Sequence, residues 1–197
     1  MNKRKRKAIV KIAAIVTAFA LLIGVSVFFA GKTVYKAVYP CKYTFEIEKY
    51  ADEYGVPRVL LFAVIHTESG FDPNAVSSAG ALGLTQITPE TFQWLQTKTG
   101  EDLPDTALYD PEVSVRYGAL FYSMLLAEFG GDTRTAVAAY HAGRGQVNTW
   151  LRDNRYSEDG RTLREIPSRD TNHYVYKVMK AINIYNNLYE KEFNQDV

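Results

Sequence analysis

Residues Ile12 to Gly31, IAAIVTAFALLIGVSVFFAG, run for twenty positions without a charged side chain. They follow directly on MNKRKRKAIVK, in which six of eleven residues are cationic. No other feature narrows the fold so far. At about 1.5 Å per helical residue the stretch matches a hydrocarbon core of about 30 Å. The Lys/Arg cluster holds its own end in the cytoplasm, so everything after Gly31 is expected outside. A cleaved signal peptide has a shorter apolar region and a small-x-small site, whereas here Phe28 stands two residues before Ala30. Lipoprotein processing at Cys41, the single cysteine, fits poorly: the preceding residues are Val38-Tyr39-Pro40, well past the apolar run. The expectation is a basic cytoplasmic tail at 1–11, an uncleaved transmembrane anchor at 12–31 and a linker at 32–42.

Charge divides the chain at the same place. Residues 1–40 hold eight Lys or Arg and no acid, while residues 41–197 hold fifteen basic and twenty-two acidic side chains, a net charge of −7 hidden within the overall +1. An acidic body argues against nucleic acid as a partner. With 47% hydrophobic and 23% charged residues the chain is neither disordered throughout nor collagen-like. One thiol allows no internal disulfide, so the exported body must be stable through its core alone. A body of about 155 residues is large enough for that.

The body reads as a string of short helices. Ile47, Tyr50, Ala51 and Tyr54 share one face of a helix over 44–54 that Gly55 stops. Pro57 suits a first helical turn, and Leu60, Ala63, Val64 and Thr67 carry the same spacing up to Ser69-Gly70. Thr88-Pro89 opens a helix to about Thr97, and Asp110-Pro111 one to about Phe129. Gly130-Gly131-Asp132 ends that helix and caps another running to about His141. A last long helix carries Tyr174, Val178, Ala181, Ile182, Tyr185 and Tyr189 on one face. Residues 72–87, rich in Gly, Ala and Ser, suit irregular loop or a short hairpin, and the polar 153–168 suits loop. The fold class is mainly α: one domain with at most a short β-hairpin, preceded by one transmembrane helix.

Glu68 lies at i+4 from Val64 and i+8 from Leu60, so it extends the apolar face. It also occupies the last turn of its helix, where the dipole disfavours an anion. Both effects raise a carboxyl pKa, and a carboxyl protonated near neutral pH is what a general acid requires. Periodicity alone leaves open the alternative, a glutamate that turns to solvent at a fraying helix end. His66, His141 and His173 do not form a ligand cluster, since His66 and Glu68 are only two apart, so no metal and no cofactor is expected. Gly143-Arg144-Gly145 lacks the spacing of a phosphate loop and reads as a helix end.

Four motifs occur in order: Glu68-Ser69-Gly70-Phe71-Asp72-Pro73, then Gly80-Ala81-Leu82-Gly83-Leu84-Thr85-Gln86-Ile87, then Ala138-Ala139-Tyr140-His141-Ala142-Gly143, and Ile166-Pro167 leading into Tyr174-Val175. Together, over 43–190, they resemble the catalytic domain of the soluble lytic transglycosylases, a lysozyme-like domain related to goose-type lysozyme. The resemblance implies Glu68 as the single catalytic acid/base. It implies Ser77 and Gln86 in the saccharide groove, Tyr140 hydrogen-bonding around the reacting sugar, and Tyr174 as a second active-site tyrosine. Asp170 stands where the family usually carries Glu, His141 where it carries Asn, and Thr85 where it carries Met. Residues 191–197 are expected to form a tail beyond the domain.

Most glycosidases use two carboxylates. Between Asp72 and Glu90 this chain has seventeen residues and no Asp or Glu, so the aspartate that goose-type lysozymes supply from that loop is absent. A lone acid suits intramolecular attack by the muramic 6-hydroxyl, which closes a 1,6-anhydro ring. The reading is therefore a membrane-anchored peptidoglycan lytic transglycosylase acting on glycan strands. Local opening of the wall for an envelope-spanning machine is one process that such an anchored enzyme would suit. Its rivals are a hydrolysing muramidase on the same fold and a non-catalytic wall-binding or assembly protein.

Overall fold

A computed structural model describes residues 3–193, with side chains described at 11, 15–27, 30–190 and 192–193. Of the expected basic tail, 1–11, residues 3–11 already belong to the first helix. Of the expected C-terminal tail, 191–197, residues 191–193 continue the last helix, with the Phe193 ring against Phe62, and only 1–2 and 194–197 lie outside the described residues. The chain divides into two compact units, Met1–Pro40 and Cys41–Val197. The first is a single helix, α1 (Lys3–Val38). Its stretch Ile15–Val38 is long and apolar enough to cross a membrane and has no buried face. Phe19 and Leu22, for example, are 65% and 64% exposed. The helix does not stop at Gly31 but continues through residues 32–38, expected as linker, because no proline or cap interrupts it before Pro40.

The second unit holds α2 (Thr44–Tyr54), α3 (Arg58–Ser69), α4 (Pro89–Thr99), a 3-10 turn (Asp105–Tyr109), α5 (Pro111–Glu128), α6 (Thr133–Ala142), α7 (Arg144–Leu151) and α8 (Arg169–Phe193). Its centre is α3. Leu60 through Ile65 are all buried, so the helix is apolar on every side and is enclosed by α8, α2 and α5. Starts and stops follow local chemistry. Thr88, Asp110 and Asp132 each accept a hydrogen bond from a backbone N–H of the first turn they cap. Gly55, Gly70 and Gly100 close α2, α3 and α4 in the left-handed region.

Two departures from expectation concern the segments between the motifs. The expected end at Gly143 is real, but α7 begins directly after it, burying Val147, Trp150 and Leu151 at i, i+3, i+4. Residues 72–87 form no strand among the described residues. They carry two isolated antiparallel bridges, Val76 with Leu82 and Leu82 with Ile87.

Candidate active site

Glu68 sits in the last turn of α3, where Gly70 (φ 59°) turns the chain away and donates its N–H to the His66 carbonyl. Loss of water around the carboxyl pushes its pKa up to about 7. Two neighbours pull the other way without reversing this: the Tyr174 hydroxyl, which donates to Oε1 at 2.5 Å, and the charge of Lys177. Both come from α8, Tyr174 from its buried face. A proton on Glu68 near neutral pH is thus a consequence of packing.

Tyr140, from α6, lies within electrostatic reach of Glu68, and its hydroxyl donates to the Thr85 carbonyl at 2.6 Å. Its ring stacks on Tyr122 of α5, with centroids 4.5 Å apart and planes 10° from parallel. His141, next to Tyr140, lays its imidazole on the Tyr174 ring at 4.6 Å and places Nδ1 3.2 Å from the Thr171 hydroxyl. Partial burial of the ring lowers its pKa, opposed by Asp170, so the imidazole is neutral near pH 7.

Loop 72–87 is fixed to this cluster from both sides. The Ser69 hydroxyl, at the end of α3, donates to the Leu84 carbonyl at 2.8 Å. Thr85 is buried and bound to Ser114 of α5 through its N–H and its hydroxyl. Its methyl packs where Gly118 has no side chain. Thr85, in the place of the family's Met, therefore serves the core, and the site receives only its carbonyl.

Gln86 adopts a left-handed conformation (φ 51°) that non-glycine residues rarely take outside constrained sites. Its side-chain amide donates to the Ala75 and Gly83 carbonyls, at 3.0 and 2.9 Å, and so holds the loop closed. Ser77 accepts the Ala81 N–H on its hydroxyl. The structure thus brings Glu68, Tyr140 and Tyr174 together and sets Gln86 next to Thr85. Among the described residues neither Ser77 nor Asp170 hydrogen-bonds to Glu68. Asp170 is exposed in the first turn of α8, lining a depression with Arg169, Asn172, His173 and Tyr176. Asp72 caps its own turn, accepting the Asn74 N–H at 2.9 Å.

Sequence reasoning did not find Tyr122, Lys177 or Thr171. Tyr122 falls on a buried face of α5 like any core aromatic, and Lys177 reads as a solvated helix charge.

A mainly helical domain with a largely desolvated carboxyl at the end of its central helix, beside two tyrosines and a loop without Asp or Glu at 73–89, has the architecture of the lysozyme-like lytic transglycosylases. The chain belongs to the Transglycosylase SLT domain family, which matches residues 45–162. It is 30% identical over 145 residues to the soluble lytic murein transglycosylase of Escherichia coli K12, covering 72% of this chain and 22% of that protein. It is 31% identical over 169 residues to membrane-bound lytic murein transglycosylase C of Haemophilus ducreyi, covering 75% and 46%.

Among solved structures it resembles lytic transglycosylase Slt of Pseudomonas aeruginosa, an inactive glutamate-to-glutamine mutant, at 30% identity and a TM-score of 0.69 over 80% of this chain and 25% of that one. The 70 kDa soluble lytic transglycosylase of E. coli gives 26% and 0.70, over 78% and 25%. This chain spans less than half the length of the curated relatives it matches.

Proposed function

We propose that this chain is a peptidoglycan lytic transglycosylase that cleaves the β-1,4 bond between N-acetylmuramic acid and N-acetylglucosamine. The observation that carries the reading is Glu68: one carboxyl whose pKa burial lifts to about 7, so that much of it keeps its proton near neutral pH, with no second carboxylate supplied by residues 73–89.

Neutral Glu68 donates its proton to the glycosidic oxygen as the bond to the muramic anomeric carbon breaks, while the sugar's own 2-acetamido group supports the developing cation. The resulting carboxylate, steadied by the Tyr174 hydroxyl, takes the proton of the same sugar's 6-hydroxyl as that oxygen bonds to the anomeric carbon. Glu68 ends protonated, and no water is consumed. Tyr140, Ser77, Gln86 and Asp170 are assigned to binding the glycan. Tyr140 and Gln86 also hold the loop against the acid.

The relatives that share this domain are called lytic murein transglycosylases, and one is called membrane-bound, which supports both the chemistry and an anchored location. In this reading α1 crosses the cell membrane with its N-terminus in the cytoplasm, and the catalytic unit meets the wall outside.

The test is mass analysis of purified peptidoglycan digested by the protein. Muropeptides with 1,6-anhydromuramic ends, one water lighter than hydrolysed ones, are expected from the earliest time points. Early dominance of reducing ends would replace the reading with a muramidase. Glu68→Gln should lower cleavage by roughly 10²–10⁴-fold with glycan binding retained, because the amide keeps the shape and cannot supply the proton.

A further inference from the structure

Tyr122 lies in the middle of α5 with no exposed surface. Among the described residues its hydroxyl is the buried side-chain polar group that has no hydrogen-bond partner. Such a group weakens a fold, and phenylalanine would keep the ring without that cost. The orphan is not in an arbitrary place. The Tyr122 ring is stacked on Tyr140, and its hydroxyl neighbours that of Tyr174 without the geometry of a hydrogen bond.

Two of the three tyrosine hydroxyls clustered at Glu68 have a settled acceptor. Tyr140 donates to Thr85, and Tyr174 donates to Glu68 itself. The Tyr174 oxygen keeps lone pairs after its proton is committed, and it is the acceptor that lies beside Tyr122.

We propose that Tyr122 is a positioning residue for Glu68: as the acid gives up its proton, the Tyr122 hydroxyl donates to the Tyr174 oxygen and completes a chain from Tyr122 through Tyr174 to the carboxylate. The proposal rests on the reading of Glu68 as the acid. While Glu68 is neutral, its oxygen is a weak acceptor and Tyr174 is little polarised. Once the carboxylate forms, the Tyr174 O–H is drawn toward it, the Tyr174 oxygen becomes the richer acceptor, and the second bond strengthens the first. The chain thus gains most when the charge appears, which is the condition for lowering a barrier instead of tightening ground-state binding. Tyr122 is walled in by α6 and α8 and touches no substrate in this scheme.

The experiment compares Tyr122→Phe with the unaltered full chain on purified peptidoglycan, with the pH profile as the decisive readout. The charged and titratable groups that act on Glu68 stay in place: Tyr140 from α6, and Tyr174 and Lys177 from α8. Residues 73–89 contribute none. Losing a donor that favours the carboxylate raises the acid's pKa, so the alkaline limb of the pH–rate profile should move to higher pH. Near neutral pH, kcat should fall roughly three- to tenfold at unchanged KM. The thermal midpoint should stay the same or rise, since an unpaired buried hydroxyl has gone.

In a Tyr174→Phe background the same substitution should have no further effect, because the hydroxyl acts through Tyr174. Wild-type kcat and an unmoved limb in Tyr122→Phe, measured beside an inactive Glu68→Gln, would overturn the proposal and leave the reading of Glu68 intact. A lowered thermal midpoint in Tyr122→Phe would overturn it too, by showing that the hydroxyl serves the fold. An active Glu68→Gln would instead bring down the reading beneath it.

Discussion

Folding strips water from the Glu68 carboxyl and moves its pKa from 4.5 to about 7, so the folded chain binds a proton there that the unfolded chain has already lost. Between those two values stability must fall as pH rises, and above 7 the whole cost is present. It amounts to about 3 kcal/mol. Below 4.5 both states are protonated and the cost vanishes. Glu68→Gln, which is always neutral, should therefore raise the thermal midpoint at pH 8 and leave it nearly unchanged at pH 4. Thermal unfolding at the two pH values checks this, and an equal shift at both would mean that the carboxyl is not held neutral by the fold. With Glu68 as the proposed acid, the same titration should set the alkaline limb of activity near pH 7, because that acid would need its proton to begin the reaction. Glu68 was legible in the sequence because its position on an apolar face and its place in a last helical turn are both local properties. Tyr122 was not: spacing marks it as core, which it is, and only its lack of a partner in the folded arrangement sets it apart.

Loop 72–87 carries the site's backbone carbonyls although it has almost no regular structure. What fixes it is close approach to α5 and to the 3-10 turn before it. A side chain on Gly83 (φ 72°) would overlap the Leu108 carbonyl, and one on Gly118 would bring its Cβ to 2.5 Å from the Thr85 methyl. Thr85 cannot step aside, because its N–H and hydroxyl are bound to Ser114 and its carbonyl receives Tyr140. Gly118→Ala should therefore cost about 1–3 kcal/mol in denaturant unfolding, as overpacking does, and should lower activity by displacing the Thr85 carbonyl. Adding Thr85→Ser, which removes the obstructing methyl and keeps the hydroxyl, should restore part of both. If the double variant is no better than Gly118→Ala alone, the proposed contact is not what constrains the loop. Helix limits were readable because caps such as Thr88, Asp110 and Asp132 act within one turn of themselves. The loop was readable only as irregular or a short hairpin, since partners 29 to 55 residues away decide its path. α7 was hidden by Gly143-Arg144-Gly145, where one glycine ends a helix and the next residue already begins another.

On the scale of the whole molecule, the two compact units have opposite needs. The apolar stretch within Met1–Pro40 has no buried face and finds a favourable environment in hydrocarbon, whereas the unit from Cys41 onward has its own core, built around α3. The span and the cationic run before it were plain in the sequence because length and charge alone define them. Its end was not, because nothing local stops α1 at Gly31, and the helix continues to Val38. The eight basic residues before position 41 set against a body of net charge −7 make the orientation predictable, since the clustered cations resist translocation and the body carries no such cluster. Protease added outside intact protoplasts should digest the body and leave a membrane-embedded fragment. A chain beginning at Cys41 should be soluble, folded and active on isolated wall, because Glu68, Tyr122, Tyr140 and Tyr174, and the helices that hold them, all follow that residue. That shortened chain should lose activity against intact cells when produced in the cytoplasm, where no wall is within reach. A body protected in protoplasts but digested after lysis would reverse the topology, placing the catalytic unit on the side of the membrane where its proposed substrate is absent.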